Sequence, residues 1–404
     1  MAKKLWGGRF KKKTDQDFFE FQKSIKYDHK LAKYDIVHSL LHVAALGNAK
    51  LIANSEKESL LAALKKIREQ IKNNKFKFDP NSEDIHTDIH NKVEKMAGKL
   101  ALKLHTLRSR NDQVAFDERS YCYDKSAGIV NLINAAVSSF EYLKNKYKNN
   151  IILGYTHTQR AQKIFFRDYI SAYIAMFSKD KERLIKFQQG LKISIGAGAL
   201  AGSSIREQYS KAIKQFPEGG IFSQSENTVY DVSERDFIIE FISHISILQM
   251  HLSRLAEDFI LYSTKEFNFI DLPEEFCTGS SMMPHKKNPD FLELLRGYTG
   301  RIYGNLMSVL TTMKGLPLTY NRDMQLDKEP LFCSVETIEN ELKIMAKFIK
   351  GIELNQAVIK EALKDEELSA VDRAEELVKK GMPFKKAHDI VGREVRSAKF
   401  TKLK

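Results

Sequence analysis

The sequence has few of the residues that interrupt helices or cross-link small folds. Its 404 residues include 8 prolines, 20 glycines and 3 cysteines. Cys122, Cys277 and Cys333 stand far apart, so their spacing predicts neither a disulfide framework nor a zinc site and fits a reducing compartment. The scarcity of proline and glycine favours long helices. No apolar stretch is long enough to cross a bilayer, so no membrane span is predicted.

The start of the chain and its charge narrow the class of protein further. Residues Met1 to Gly8 lack the apolar core of a secretory signal, so we expect a cytoplasmic protein. Lys and Arg outnumber Asp and Glu by 65 to 52, a formal net charge of +13. Such a charge can attract nucleic acid, an anionic membrane surface or an anionic substrate. The positive residues are spread along the chain, apart from the run Lys11 to Lys13, so we predict a solvated basic surface that binds neither nucleic acid nor membrane.

Apolar residues recur at helical spacing over five long stretches. The clearest begins near Ser233, which with Asp236 three residues later resembles a capping box. We therefore predict an all-α protein with a central bundle of five long helices, between a small N-terminal helical domain (1–106) and a small C-terminal one (357–404). The bundle domain is predicted over 107–356, with helices over approximately 113–147, 160–190, 233–266, 289–314 and 329–352.

The segment from Gly279 to Pro289 carries the strongest chemical signal. Its two prolines restrict the backbone, and Gly279 permits conformations that other residues avoid. The loop offers the Ser280 hydroxyl as an acid or base, while Lys286 and Asn288 are suited to hold an oxyanion. Such a loop predicts chemistry that builds negative charge on a bound carboxylate.

Four further segments are rich in functional groups, each with a simpler structural alternative. Arg108 to Gln113 is suited to clamp carboxylates, or is a helix start capped by Asn111 or Asp112 with two surface arginines. His157, between two hydroxyls, is a candidate acid or base or a turn residue before a long helix. The segment from Tyr320 to Glu329 suits ligand recognition or is a solvated connection, and Glu83 to Thr87 reads as a helix start.

Metal and cofactor motifs are not convincing. His86 and His90 are four residues apart, but the glutamate of a zinc-binding motif is missing between them. The run Gly196 to Gly202 is predicted to lack the strand–turn–helix context of a dinucleotide site, and no phosphate-binding loop motif occurs. We therefore predict acid–base catalysis with no metal and no cofactor.

These motifs together resemble the argininosuccinate lyase family of the fumarase/aspartase superfamily. The loop from Gly279 to Pro289 is similar to the superfamily signature. Resemblance to the narrower family rests on Leu5 to Phe10, His105 to Gln113, Gly154 to Gln162 and Leu316 to Pro330. It extends over nearly the whole chain.

The resemblance implies a helical protomer in three domains and a homotetramer whose active sites are shared between chains. It implies reversible elimination of L-arginine from argininosuccinate, giving fumarate, in arginine biosynthesis. By resemblance Ser280 abstracts the proton, Lys286 and Asn288 stabilise the aci-carboxylate, and His157 handles the second proton. The sequence leaves open which of Ser280 and His157 holds which proton. Substrate-holding roles carry over to Ser24, Arg108, Arg110, Asn111, Thr156, Tyr320, Gln325 and Lys328.

The chain departs from the family pattern at several positions. Leu107 stands where a glycine is common, His90 replaces a glutamate, and the chain ends earlier than typical members, which predicts a shortened C-terminal domain. The other departures are Tyr230, Lys163 and Leu326. Two alternatives follow: a catalytically impaired structural protein like the delta-crystallins, or another superfamily lyase such as adenylosuccinate lyase.

Overall fold

The computed structural model describes residues 11–216 and 219–402. The family-like opening Leu5 to Phe10 lies outside these residues. The chain divides into two compact units. Unit 1 consists of Met1–Val130, Glu182–Ser246 and Arg301–Ile338, and unit 2 consists of Asn131–Lys181, Ile247–Gly300 and Glu339–Lys404. The predicted division into three domains, at residues 106 and 356, stays a prediction.

The fold is mostly helical, as the sequence predicts. Short 3-10 helices lie between several α-helices, including Gly98–His105 and Arg322–Asp327. In chain order the described α-helices are α1 (Gln16–Gln22), α2 (Ile25–Asp28), α3 (Ala32–Asn48), α4 (Asn54–Lys72), α5 (Ile85–Ala97), α6 (Arg110–Lys146), α7 (Phe166–Gly190), α8 (Arg206–Lys214), α9 (Thr228–Ser233), α10 (Asp236–Ser263), α11 (Asp290–Met313), α12 (Lys328–Phe348), α13 (Gln356–Ala362), α14 (Ala370–Lys379) and α15 (Phe384–Lys402).

Three small two-stranded sheets accompany the helices in the described residues. The strands are β1 (Ile151–Thr156), β2 (Gln159–Phe165), β3 (Ile193–Ile195), β4 (Phe222–Gln224), β5 (Ile270–Asp271) and β6 (Glu353–Leu354). β1 pairs with β2 and β5 with β6 in antiparallel fashion, whereas β3 and β4 are parallel and are connected through α8.

The five predicted long helices correspond to α6, α7, α10, α11 and α12. The apolar face predicted for α10 is confirmed, since Phe241, Ile245, Leu248 and Leu252 are fully buried. Burial of such side chains contributes about 1.5–3 kcal/mol each, which explains why periodicity alone located this helix. The predicted start of the second helix is wrong, because residues 159–165 form strand β2.

The predicted capping box at Ser233 is also wrong. Ser233 is the last residue of α9, and its hydroxyl donates to Val229 O at 2.6 Å and accepts from Thr319 N–H at 2.5 Å. Helix α10 begins three residues later, and its first turn is capped by Glu234, whose Oε1 accepts from Phe237 N–H at 2.9 Å. The serine hydroxyl is thus engaged elsewhere, and a carboxylate takes the capping position, where it also interacts favourably with the helix dipole.

None of the described helices is both long and apolar enough to cross a membrane.

Candidate active site

The loop between residues 278 and 288, in unit 2, is closed at its base by backbone pairing. Asn288 N–H donates to Thr278 O at 2.8 Å, and Thr278 N–H donates to Asn288 O at 3.3 Å. Thr278 Oγ1 donates to Asp290 Oδ2 at 2.6 Å, which ties the loop to the first residue of α11. Asn288 Nδ2 lies 3.4 Å from Gly279 O. Three of the four predicted catalytic residues therefore lie in one constrained loop.

The hydroxyl of Ser280 accepts two backbone hydrogen bonds. Its Oγ receives the N–H of Met283 at 3.0 Å and that of Met282 at 3.3 Å. Hydrogen bonds to the charged form of a group favour its ionisation. Both lone-pair directions are thus occupied by donors, so the arrangement stabilises a serine oxyanion and leaves the hydroxyl proton free to be given up.

The two neighbouring lysines of this loop are in different situations. Lys287 Nζ donates to Asp271 Oδ1 at 2.8 Å and to Leu272 O at 2.5 Å. The Lys286 side chain is exposed and has no hydrogen bond or ion pair with any residue that the structure describes. Lys287 therefore anchors the loop, and Lys286 is the ammonium that is available to a ligand.

His157 lies at the tip of the β1–β2 hairpin, also in unit 2, and not directly before a long helix as predicted. Thr156 pairs with Gln159, so His157 and Thr158 form a two-residue turn. Their φ angles are +53° and +59°, the left-handed region required at both central positions of a type I′ turn. Asparagine and glycine are the usual residues there, so a histidine and a threonine hold this turn at a conformational cost.

Both Thr156 and His157 are exposed, and no hydrogen bond or ion pair among the described residues joins them to the 278–288 loop. The hairpin contacts the segment 365–369 instead, because Arg160 Nη1 contacts Asp365 Oδ2 at 3.1 Å and Lys163 Nζ lies 3.3 Å from Ser369 Oγ. Within one chain the structure thus brings together the residues of the loop, but not the loop and His157.

The predicted substrate-binding residues, apart from Thr156, lie in unit 1. Ser24 Oγ donates to Asp28 Oδ2 at 2.6 Å, and Asp28 Oδ1 accepts from Ile85 N–H at 3.1 Å. Gln325 Nε2 donates to Gln22 O at 3.0 Å. These contacts bring Ser24 and Gln325 to the same segment, although they are some three hundred positions apart in the sequence. Tyr320 is half-buried and lies five residues before Gln325 in the sequence.

The two arginines of the second motif are held by side chains from other helices. Arg108 Nη1 donates to Ser39 Oγ at 2.8 Å, and Arg110 Nε contacts Asp84 Oδ2 at 3.0 Å. Helix α6 begins at Arg110, and Ser109 Oγ accepts from Asn111 N–H at 3.2 Å. The capping residue is therefore Ser109, and not Asn111 or Asp112, and both arginines are half-buried.

The helix-start interpretation of the segment from Glu83 to Thr87 is confirmed. Asp84 is the N-cap of α5, and its Oδ1 accepts from Thr87 N–H at 2.7 Å. The same carboxylate contacts Arg110 through its other oxygen, so capping and arginine positioning share one side chain.

Lys328 belongs to a buried group of four charges that sequence reasoning missed. Its Nζ lies 2.6 Å from Glu118 Oε1 and 3.0 Å from Asp327 Oδ1. Arg235 Nε lies 2.7 Å from Asp327 Oδ2 and 3.2 Å from Glu118 Oε2. Burial opposes the charge on Lys328, but the carboxylates of Asp327 and Glu118 outweigh it and raise its pKa. The one sequence signal is the acidic pair Asp117–Glu118, which directly follows three apolar residues of α6.

A second buried group joins Asp35, His86 and Asp117. His86 Nδ1 lies 3.0 Å from Asp35 Oδ1 and 3.5 Å from Asp117 Oδ2, and Gln113 Nε2 donates to Asp35 Oδ1. Burial opposes ionisation of Asp35, but the hydrogen bond and charge of His86 lower its pKa, whereas burial raises the pKa of Asp117 well above its usual range.

The ligand atoms of these three residues lie within 4.8 Å of one another, so this donor set is one that could hold a metal ion. The positive charge of Arg108, which lowers the pKa of Asp35, opposes a further cation there. The His86–Asp35 contact also already occupies one atom of each residue. Among the described residues, Asp35 Oδ2, His86 Nε2 and both carboxylate oxygens of Asp117 are buried without a hydrogen-bond partner.

The glycine-rich run from residue 196 to 202 does follow a strand and precede a helix, so the prediction that this context is missing is wrong. Strand β3 leads into it and α8 follows. Its backbone N–H groups face an internal anion, since Gly196 N–H donates to Asp112 Oδ2 at 3.1 Å. Burial raises the pKa of Asp112 to about 6, against the opposing effect of hydrogen bonds from Gly198, Gly196 and Ala197. A protein carboxylate thus engages the backbone donors of this run.

A cavity of about 530 Å³ opens in unit 1, but none of the predicted site residues lines it. Its wall includes Arg119, Glu234 and Tyr230, one of the positions that depart from the family pattern.

Comparison with known proteins shows the family of the chain. A lyase family model matches residues 8–304, and an argininosuccinate lyase C-terminal model matches residues 367–404. The chain is 44% identical over 402 residues to argininosuccinate lyase of Carboxydothermus hydrogenoformans, covering 98% of this chain and 87% of that protein. It is 44% identical over 394 residues to argininosuccinate lyase of Legionella pneumophila (strain Philadelphia 1), covering 97% and 95%.

Solved structures share the fold at low sequence identity. A class II fumarase from Schistosoma mansoni superimposes with a TM-score of 0.78 at 19% identity, over 93% of this chain and 86% of that one. A fumarate lyase:delta crystallin from Brucella melitensis bound to cobalt gives 0.77 at 20% identity, over 92% and 85%. The fold and the family model therefore define a lyase with the fold of the fumarases. Within that class, the chain belongs to the argininosuccinate lyase family.

Proposed function

We propose that the protein catalyses the reversible elimination of L-arginine from argininosuccinate to give fumarate, as a carbon–nitrogen lyase of arginine biosynthesis. Family membership supports this reaction class. The observation that carries it is the 278–288 loop, in which a serine oxygen with two amide donors, an unengaged ammonium and an amide side chain occur together. The three cysteines are unpaired, which fits the proposed cytoplasmic location.

The chemistry explains why the loop needs these groups. The Ser280 hydroxyl first gives its proton to solvent, and Ser280 Oγ, as its oxyanion, then takes the proton from the carbon next to a succinyl carboxylate. The electron pair left behind spreads onto that carboxylate as an aci-carboxylate, whose second negative charge Lys286 and Asn288 stabilise. The pair then forms the carbon–carbon double bond of fumarate as the carbon–nitrogen bond breaks. His157 gives a proton to the departing guanidino nitrogen, so arginine leaves in its protonated form.

The remaining predicted residues are proposed to hold the substrate. Arg108 and Arg110 suit its carboxylates because guanidinium groups bind carboxylates in a bidentate way. Lys328 suits the carboxylate of the arginine-derived end. The other proposed substrate-binding residues are Ser24, Asn111, Thr156, Tyr320 and Gln325. No metal and no cofactor enters the proposed reaction.

We also propose a homotetramer whose active sites combine residues from different chains. Helix α11 supports this, because Leu294 and Met307 are each 58% exposed on it. Gly297, Gly300 and Gly304 lie between them, and nothing is within 4 Å of the position of a Cβ at any of the three. Glycine destabilises a helix interior by about 1 kcal/mol relative to alanine, so three on one helix suit close approach by a helix of a second copy.

The test of function is ultraviolet detection of fumarate from protein treated with EDTA. Argininosuccinate should give fumarate and arginine in equal amounts, and adenylosuccinate should give none. Release from adenylosuccinate alone would assign the protein to a different lyase. Loss of activity on EDTA treatment, restored by a divalent metal, would make the group formed by Asp35, His86 and Asp117 a metal site and contradict metal-free catalysis.

A further inference from the structure

We propose that Glu118 is a positioning residue that holds the Lys328 ammonium in the unliganded protein and releases it, by taking up a proton, when an anionic group of the substrate binds. The inference rests on the proposed function, in which Lys328 receives a substrate carboxylate. It adds that Glu118 competes with the substrate carboxylate for Lys328, and that substrate binding is coupled to protonation of Glu118.

The two carboxylates that flank Lys328 are held very differently. Asp327 receives well-aligned hydrogen bonds from both cations, from Arg235 Nε at 2.7 Å and from Lys328 Nζ at 3.0 Å. Glu118 Oε1 lies 2.6 Å from Lys328 Nζ, yet neither of its oxygens has a hydrogen bond of good geometry. Glu118 is joined to the group by ion-pair contacts with Lys328 and Arg235, so it is the carboxylate that can be exchanged at the lower cost.

The charges of the group balance only while Glu118 is ionised. Glu118 and Asp327 then offset Arg235 and Lys328, and all four side chains are buried. An incoming carboxylate brings an extra negative charge into this environment, where an unbalanced charge is costly. Protonation of Glu118 cancels that excess and frees Lys328 Nζ in one step. The proton comes from solvent, at most one for each site that binds substrate.

Glu118 is suited to this exchange near neutral pH. Burial, followed by the charge of Asp327, raises its pKa to about 7, although Lys328 and Arg235 act in the opposite direction. A bound carboxylate adds a further negative charge and raises that pKa again. The titratable and charged groups that interact electrostatically with Glu118 or with Lys328 come from four parts of unit 1. They are Asp117 and Cys122 on α6, Arg235 before α10, Asp327 and Lys328 at the start of α12, and Tyr27 and Asp28 on α2.

The experiment compares the pH dependence of KM and kcat for argininosuccinate in the wild type and in Glu118→Gln. The variant keeps the shape of the side chain but cannot ionise. Between about pH 6 and about pH 8 the wild-type KM should rise about fivefold, which one pK unit of coupling between proton and substrate produces for a group of pKa near 7. The Glu118→Gln KM should stay at the low wild-type value across this range. kcat should change less than KM in both proteins, because Lys328 binds substrate and transition state alike.

Glu341→Gln is the matched control, since it also removes a buried carboxylate whose pKa is raised by burial. It lies thirteen residues after Lys328 on α12, about 20 Å along the helix. Its KM should follow the wild-type pH profile. A wild-type KM that does not change with pH would overturn the proposal, and that result needs no folded variant. A Glu118→Gln profile that parallels the wild type would overturn it too. If the wild type releases no fumarate from argininosuccinate, the proposed function itself fails, which is a separate outcome.

Discussion

The sharpest prediction separates two adjacent lysines of the active-site loop. Lys286→Met and Lys287→Met are the same chemical change one residue apart. Lys286 is exposed, and the Lys287 side chain is 34% exposed. Lys287 is engaged by Asp271 and Leu272, whereas Lys286 has no side-chain hydrogen bond or ion pair among the described residues. If Lys286 stabilises charge that develops only as the proton leaves, its loss should appear in kcat and not in substrate affinity.

The expected losses of kcat in the two variants differ by at least about one order of magnitude. Removing one preorganised oxyanion donor costs about 10²–10³-fold in kcat, or about 2.7–4 kcal/mol of transition-state stabilisation. The Lys287–Asp271 ion pair has one partner 74% exposed, so its loss should cost at most about 1 kcal/mol of stability. Turnover of Lys287→Met should therefore stay within about tenfold of the wild type, the change that 1.36 kcal/mol produces.

The assay is steady-state fumarate release, with the substrate Kd measured separately by calorimetry at a temperature where turnover is slow. Equal kcat losses in the two variants would refute the reasoning, because they would make the loop a general electrostatic attractor. A Lys286→Met defect confined to Kd would refute it as well, since the ammonium would then act on the ground state alone.

Three further predictions concern stability and assembly. Burial raises the pKa of Glu341 to about 8, so the folded protein keeps this proton while an unfolded glutamate loses it above about pH 4.5, and the stability of the wild type should fall as pH rises between these values. In denaturant unfolding, Glu341→Gln should therefore be more stable than the wild type above pH 8 by a few kcal/mol. An equal dependence of stability on pH in the two proteins would contradict this prediction. Leu107 has φ +57°, whereas Leu102 lies in a 3-10 helix, and both side chains are about half exposed. Because glycine relieves backbone strain only at Leu107, Leu107→Gly should be more stable than Leu102→Gly by about 1 kcal/mol or more, and the reverse order would contradict strain at Leu107. Mixing inactive Ser280→Ala and Arg110→Ala protomers should restore part of the activity, because the two substitutions lie in different units and some shared sites would contain neither of them. If subunit exchange is verified and no activity returns, the result would argue against shared sites.

The long helices could be predicted from sequence because burial imposes a periodic pattern on them. Helix α10 is the clearest case, with Phe241, Ile245 and Leu252 on one buried face. The start of α7 was mispredicted because the β1–β2 turn is formed by His157 and Thr158, which are not the residues that normally signal a two-residue hairpin. The residues at the turn therefore do not predict it.

The residues of the 278–288 loop could be named from sequence because they are contiguous and their chemistry is distinctive. The buried charges around Lys328 could not, since Glu118, Arg235 and Asp327 come from three distant segments and only folding brings them together. A local departure was easier to interpret. The structure places Leu107 at φ +57°, a backbone conformation that favours glycine, the residue that the family resemblance implies at this position.

The central claim is that Ser280 is the base of the elimination, and its most direct test is fumarate release by Ser280→Ala under saturating argininosuccinate. We predict a kcat at least about 10²-fold below the wild type, the lower end for removal of a general acid or base, with folding and substrate Kd nearly unchanged. His157→Asn, measured in parallel, reports on the second proton. Near-normal turnover by Ser280→Ala with saturation confirmed would contradict the account, because the two amide donors at its Oγ would then stabilise an oxyanion that the reaction does not use.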